Sequence, residues 1–407
     1  MKALENLRCH TPSKQFGGPK SLEAVGSILS LHALGDYIFA IYSDLTLCSY
    51  KLYPSRGTLP FQFKNDKARG MLNKNASRLS SAVGNRINVN DVAGSTTRAD
   101  TSSKHCSDFG NSSFAMTFGG NAKVSSSGVT STDSSYLLMS CGYFDNCVKV
   151  QSLDSVQLRS NQNGGHKGPI NCLQVGEDGT ILVTGGQDAT CRLWVLDHDL
   201  FASALIDGFV HSSLGIERDL MRCCHVLLGH VTPITCVAIS TKLDVVVSGS
   251  EDGSICIHNI RSGKFVRSLH IDAISKEVSH SCAINGLSVK KIAIHVHGSF
   301  VAHLSDGSLH LITVNGQRLF STHVEENLYS MIICAQSETL ITGGEKGLAR
   351  IWKLHDLSLQ CTVDVEKYGA ITSLALTSLD TSPAAQFLCV GSSNGYLSIV
   401  YRSAESK

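Results

Sequence analysis

The sequence has little charge, few aromatics and almost no proline: of 407 residues, 17% are charged, 6% are aromatic and 7 are Pro. Lys+Arg 35 against Asp+Glu 34 leaves a net charge of +1, which excludes a chain-wide field for nucleic acid or acidic lipid. An apolar share of 42% excludes a chain disordered throughout. No apolar run reaches the ~18 residues that span a bilayer, and MKALENLRCH has no apolar core of the secretory kind. There is no C-x-x-C pair among the 15 Cys, so a zinc ribbon or dithiol redox motif is excluded. An odd number of scattered Cys in apolar segments fits small buried hydrophobes in a reducing cytosol. No G-x-x-x-x-G-K-[ST] loop occurs, and basic residues do not cluster with aromatics into a nucleic-acid stripe.

What is abundant is glycine, 36 residues, and it marks a repeat. Residues 165–196, GHKGPINCLQVGEDGTILVTGGQDATCRLWVL, align without a gap on residues 229–260, GHVTPITCVAISTKLDVVVSGSEDGSICIHNI. His166 to Thr184 and His230 to Ser248 are both 18 positions; Thr184 to Asp188 and Ser248 to Asp252 are both 4; Asp188 to Trp194 and Asp252 to His258 are both 6. Each unit alternates like strands (INCLQV, ITCVAI), and tight-turn residues (QD, EDG) separate its second and third runs. Weaker copies cover residues 27–53, 136–152, 284–314, 328–354 and 371–401, with turn positions Asp44, Asp145, Asp306, Lys346 and Asn394. That makes seven units. The last holds only three strands, so the missing outer strand is expected from residues 2–20, since an open edge invites aggregation.

Two insertions interrupt the repeat. Residues 65–113 are rich in Ser, Asn, Thr and Gly and read as a long disordered insertion between units one and two. Asn75 and Asn111 begin glycosylation sequons there, which carry no meaning in a cytosolic chain. Residues 197–222 place Phe201, Leu205 and Phe209 at i, i+4, i+8, one face of a helical insertion.

A Gly-His opening, an Asp turn and a Trp six residues on resemble the WD40 repeat. The expected fold is therefore all-β, a seven-bladed WD40 β-propeller over residues 21–403, with residues 1–20 as an N-terminal segment that closes the ring or is a remnant of a preceding domain. The resemblance implies structural tetrads: His166, Thr184, Asp188 and Trp194 in one unit, and His230, Ser248, Asp252 and His258 in the next. In each, the turn Asp accepts from His, His bonds the strand hydroxyl, and the hydroxyl meets the last side chain. A Ser-His-Asp hydrolase triad would not recur at one spacing in two units, so no catalytic residue, metal or cofactor is expected. His295, His297, His303 and His310 lack a carboxylate or Cys spaced to complete a metal site, although His295 and His297 would share a strand face.

The string CVAIST-x-LD-x-x-VSGSEDG-x-x-x-IH and the segment SCGYFDN-x-x-KV resemble more specifically the C-terminal propeller of BEACH-domain, neurobeachin-type proteins, with Phe144 where Trp is usual. HTPSKQFGGPK resembles a degraded form of the stretch that ends the BEACH domain, so the chain is expected to be the C-terminal piece, or a truncated gene model, of a much larger protein. The resemblance implies a non-enzymatic scaffold in vesicle trafficking, cytoplasmic and peripheral on endomembranes through partners, with protein or peptide partners and a BEACH domain in the full-length protein. The competing reading is a stand-alone WD40 adaptor such as a ubiquitin-ligase substrate receptor. Partner-binding candidates are the residues just before the turn positions: Tyr143 with Phe144, Gln187, Glu251 and Glu345, with Ser305 and Ser393 at the equivalent places. Aromatics beside acids would suit a basic, partly apolar peptide on that loop face.

Overall fold

The computed structural model describes residues 7–10, 26–43, 47–54, 61–64, 114–118, 136–141, 146–152, 158–161, 165–196, 221–271, 287–365, 369–379 and 382–402. All the regular structure among them is antiparallel sheet. Blade 1 runs Ile28–Leu34, Tyr37–Tyr42, Leu47–Pro54 and Phe61–Lys64; blade 2 runs Phe114–Phe118, Tyr136–Ser140, Val148–Ser152 and Leu158–Asn161. Blade 3 runs Ile170–Val175, Ile181–Gly186, Cys191–Leu196 and Met221–Leu227; blade 4 runs Ile234–Ser240, Val245–Ser250, Ser254–Asn259 and Phe265–His270. Blade 5 runs Val289–His295, Ser299–Leu304, Ser308–Thr313 and Arg318–His323; blade 6 runs Leu328–Cys334, Thr339–Gly344, Leu348–Lys353 and Leu359–Asp364.

The expected seven-bladed count is corrected here: six blades, not seven, are complete within consecutive strands. The seventh unit, Ile371–Leu379, Ser382–Ser392 and Leu397–Arg402, ends the described chain one strand short. Its sheet is a composite, in which Leu7–His10 lies antiparallel to Leu397–Arg402 with Cys9 opposite Val400. The physical reason is the edge: three strands of this unit would leave a row of unpaired backbone groups open. The expected insertion at 65–113 lies outside the described residues. So do residues 197–220 of the expected helical insertion, whose last two positions, 221 and 222, are corrected to strand.

Burial grades across each blade and explains the local sequence. Second strands such as VVVSGS and TLITGG are near-continuous apolar or small runs because neighbouring sheets cover both faces; Thr339–Gly344 is buried at every position. Outer strands are the opposite: Phe265–His270 is exposed at all positions but one. The core is a ring of seams between sheets, not one centre. Ile28 and Leu31 of blade 1 meet Phe387 and Cys389 of the composite sheet, and Ile257 and Val247 of blade 4 meet Phe300 and Ala302 of blade 5. Between blades 1 and 2 the filling is aromatic, with the Phe39 and Tyr136 ring centroids 4.9 Å apart.

Polar stitches cross the seams. Asn171 Nδ2 donates to Ile234 O at 2.8 Å, Thr235 Oγ1 donates to Val289 O, the Leu374 N–H donates to Ser330 Oγ at 3.1 Å, and the Leu31 N–H donates to Ser373 Oγ at 2.9 Å. The last bond joins residues 342 positions apart and helps hold the composite sheet to blade 1.

Candidate functional site: the turn face and its central cavity

One repeated backbone bond organises this face. In blades 3 to 6 and in the composite sheet, the residue just before the turn position donates its N–H to the carbonyl just ahead of the first strand. Gln187 bonds Pro169 at 2.8 Å, Glu251 bonds Pro233 at 3.1 Å, Ser305 bonds Ser288 at 2.9 Å, Glu345 bonds Asn327 at 3.1 Å and Ser393 bonds Ala370 at 2.8 Å. The turn between second and third strands is thereby fixed beside the start of the innermost strand, so these residues gather at one end of the ring. Their first strands carry a bulge at the next position; the register slips between Ile170 and Cys172, Ile234 and Cys236, Val289 and Lys291. A bulge sets two consecutive residues against one partner residue, and both members of such pairs, including Asn171–Cys172, Thr235–Cys236 and Lys290–Lys291, line one central cavity of about 900 Å³.

Gln187 and Glu251 belong to that lining and are exposed. Glu345 is exposed just outside it and accepts a bond from the lining residue Asn327 at 3.3 Å. Tyr143 and Phe144 lie outside the described residues. The wall residues that sequence reasoning missed are Lys290, Lys291, His303 and Tyr329. Their signal was present: a Lys pair where neighbouring units have Asn-Cys and Thr-Cys.

In blade 3 the four tetrad side chains form one continuous chain of hydrogen bonds. His166 Nδ1 lies 3.0 Å from Asp188 Oδ1, His166 Nε2 lies 2.8 Å from Thr184 Oγ1, and Trp194 Nε1 donates to Thr184 Oγ1 at 2.9 Å. With a proton on Nδ1 every group is satisfied: Nδ1–H donates to Asp188, Thr184 donates to Nε2, and Thr184 accepts from Trp194. Asp188 also accepts from the Lys167 N–H at 2.8 Å and from Thr190 Oγ1 at 2.8 Å. Burial pushes the Asp188 carboxyl up, but these bonds outweigh it and leave it below the usual carboxylate range. Burial lowers the His166 imidazole despite the carboxylate beside it.

Blade 4 departs from that arrangement, and two expectations are corrected. His230 Nε2 does meet Ser248 Oγ, at 2.8 Å, but Nδ1 meets Ser254 Oγ at 2.9 Å. Asp252 instead accepts from Ser250 Oγ and from the Ser254 N–H. His258 does not join Ser248; its Nε2 meets Leu228 O at 2.9 Å. The cause of the Asp252 shift is one residue. A Cβ on Gly186 would come within 2.5 Å of His166 Nδ1 and 2.6 Å of Asp188 Oδ1. In blade 3 the His–Asp contact therefore occupies space that a Cβ at residue 186 would need. The equivalent residue in blade 4 is Ser250, which fills that gap and supplies a hydroxyl that captures Asp252.

Blade 6 uses a third solution. Trp352 Nε1 donates to Thr342 Oγ1 at 3.0 Å, but Lys346 holds the turn position. The carboxylate comes from Glu326, which accepts from the Lys346 N–H at 2.9 Å and pairs with Arg350. Both charged side chains are largely buried.

His295, His297, His303 and His310 all lie in blade 5. His295 ends its strand and His297 lies in the following turn, correcting the expectation of one shared strand face; their ring centroids are 4.8 Å apart. Among the described residues no group of three His, Cys, Asp or Glu could hold a metal ion, and no helix is long and apolar enough to cross a membrane.

Comparison with known proteins bears on this arrangement of blades. Residues 112–407 match the family model of the neurobeachin beta propeller domain. BEACH domain-containing protein B of Arabidopsis thaliana is 31% identical over 251 residues, 59% of this chain and 9% of that protein. BEACH domain-containing protein lvsE of Dictyostelium discoideum is 20% identical over 276 residues, 65% of this chain and 11% of that protein. Mitochondrial division protein 1 of Saccharomyces cerevisiae is 33% identical over 134 residues, 33% of this chain and 18% of that protein. The matched stretches are thus less than a fifth of each relative's own length. With a matched region that covers most of the sequence and four-stranded blades arranged around a central cavity, the chain belongs to the neurobeachin β-propeller family.

Proposed function

We propose that the chain is a non-enzymatic protein-interaction scaffold of BEACH type, that it acts in vesicle trafficking and membrane dynamics, and that partners dock on the turn face over the central cavity. It reaches membranes through those partners, from the cytoplasm. The observation that carries the reading is the concave site itself: a rigid ring of strand starts surrounds about 900 Å³ with exposed Gln187 and Glu251 in its wall. Side chains on turns held by a stiff scaffold are a common basis for recognition. His166 and Asp188 satisfy one another and sit inside the blade as part of its hydrogen-bonded frame.

The binding residues on this reading are Gln187, Glu251 and Glu345, with Tyr143 and Phe144 of blade 2. The test is proximity labelling in cells with the chain fused to a biotin ligase, beside a Glu251→Lys, Glu345→Lys double variant. Wild type should label proteins of vesicle coats and membrane traffic, and the variant, with the charge of the face reversed at two places, should label them to a clearly different extent. Equal labelling by both chains would refute the docking face, and labelling without any trafficking protein would refute the cellular role.

A further inference from the structure

The cavity wall is not uniform: one sector is basic. Blade 5 places Lys290 and Lys291 side by side at its bulge, where blades 3 and 4 place Asn171–Cys172 and Thr235–Cys236. Both lysines are exposed, and among the described residues neither makes an ion pair. Opposite Lys291 in register stands His303. In four other sheets this position is glycine, for a steric reason. A Cβ on Gly185 would lie 2.5 Å from Ile234, and one on Gly343 would lie 2.5 Å from Ile371 of the next sheet; Gly249 and Gly391 are similarly crowded. In blade 5 an imidazole occupies that place instead. It is only 3% exposed, lines the cavity, and has no hydrogen-bond partner on either ring nitrogen. Burial lowers its pKa to about 4, so at neutral pH it is an uncharged donor and acceptor. A buried polar side chain without a partner is costly, and here it lies behind two unpaired ammonium groups.

We infer that this sector, Lys290 and Lys291 backed by His303, receives the carboxylates of an acidic peptide segment of a partner protein. The inference rests on the docking face proposed above and replaces the basic peptide expected there with an acidic one, because Lys290 and Lys291 line the same cavity as Glu251. The remaining wall selects a peptide over a bare polyanion. Val237, Ile292 and Leu328 line the same cavity and offer apolar contact to side chains beside the acid. Glu251 stands in the lining as well and penalises a ligand of high negative charge. The carboxylates are therefore few, flanked by apolar residues, and directed to the blade 5 side of the cavity.

The test pans a phage-displayed random-peptide library against the 407-residue chain, then measures a selected peptide, labelled with fluorescein, by anisotropy. Asp or Glu beside apolar residues should be enriched. Affinity should fall about tenfold for Lys290→Ala or Lys291→Ala and further for the double charge reversal to Glu. It should also weaken with added salt, since exposed charges are screened beyond about 10 Å at 0.1 M. His303→Leu should weaken the peptide as well, with Lys-variant melting temperatures unchanged because those side chains are exposed. Selection of Lys- or Arg-rich peptides, no selection at all, or binding indifferent to both lysines would overturn the inference. Lysine-dependent binding to vesicles containing phosphoinositide, with no peptide bound, would overturn it too. A peptide lost in the Glu251→Lys, Glu345→Lys variant but retained by the lysine variants would sink this inference and leave the docking face standing; a peptide indifferent to both sets would sink both.

Discussion

Asp188→Ala and Asp252→Ala change the same letter at the same place in two aligned repeats, yet their costs should differ by about 2 kcal/mol. Asp188 accepts from His166 Nδ1, the Lys167 N–H and both the hydroxyl and N–H of Thr190. Its removal strips a buried imidazole of a charge-assisted bond, worth about 1.5–3 kcal/mol, and loosens the turn. Losing the Lys167 and Thr190 bonds adds about 1 kcal/mol or more, and Thr190 Oγ1, 3.2 Å from His166 Nδ1, recovers part of the imidazole's loss, for a net loss of about 3 kcal/mol. In blade 4 Ser254 already faces His230 Nδ1 at 2.9 Å, so Asp252→Ala removes only turn bonds and should cost about 1 kcal/mol. Urea denaturation followed by tryptophan fluorescence suits the comparison, because the chain has two Trp and Trp194 belongs to the blade 3 network. Equal shifts of the midpoint, or a larger shift for Asp252→Ala, would refute the argument.

Three further outcomes are expected. Ser250→Gly should clear the gap between His230 and Asp252 and allow a direct contact; a structure of the variant that keeps the His230–Ser254 bond would count against the steric explanation. Glu326→Ala should destabilise by about 3–5 kcal/mol by stranding the buried Arg350, whereas Lys346→Ala should stay within about 0.5 kcal/mol; denaturation midpoints in the reverse order would disprove the ion-pair assignment. Stability should also fall on mild acidification. His32, His230 and His303 are each lowered by burial to about 4, so between the unfolded value of 6.5 and about 4 the unfolded state binds more protons, and the stability present above 6.5 is lost across that window. A denaturation midpoint that does not fall from about pH 7 to about pH 5 would contradict this.

The blades were legible in the sequence because their signal is local and repeated. Alternating first strands, near-continuous second strands and a tight turn at fixed spacing identify a blade without reference to anything beyond it. The closing strand was less so. LRCH carries few features of a strand by itself, and Leu7–His10 earns that state only by pairing with Leu397–Arg402. The expectation of a missing partner came from edge physics, not from those four letters. Residues 221–222 are the converse case: the helical spacing of the preceding segment runs up to MRCCHVL, whose pairing with Cys191–Leu196 makes it strand.

The tetrads mark where spacing stops being enough. His, hydroxyl and Asp recur at the same intervals in blades 3 and 4, and the blade 3 side chains connect as a chain while the blade 4 ones do not. The deciding residue is none of the four. Gly186 leaves room for a direct His–Asp contact, and Ser250 both blocks that contact and offers a competing donor. The same position-by-position logic separates the cavity wall from the rest of the ring. A glycine kept in four sheets by close approach of the next strand becomes His303 in the fifth, beside the lysine pair. The chemistry of this propeller therefore lies where one unit departs from its siblings, at Ser250 in blade 4 and at His303 with Lys290 and Lys291 in blade 5.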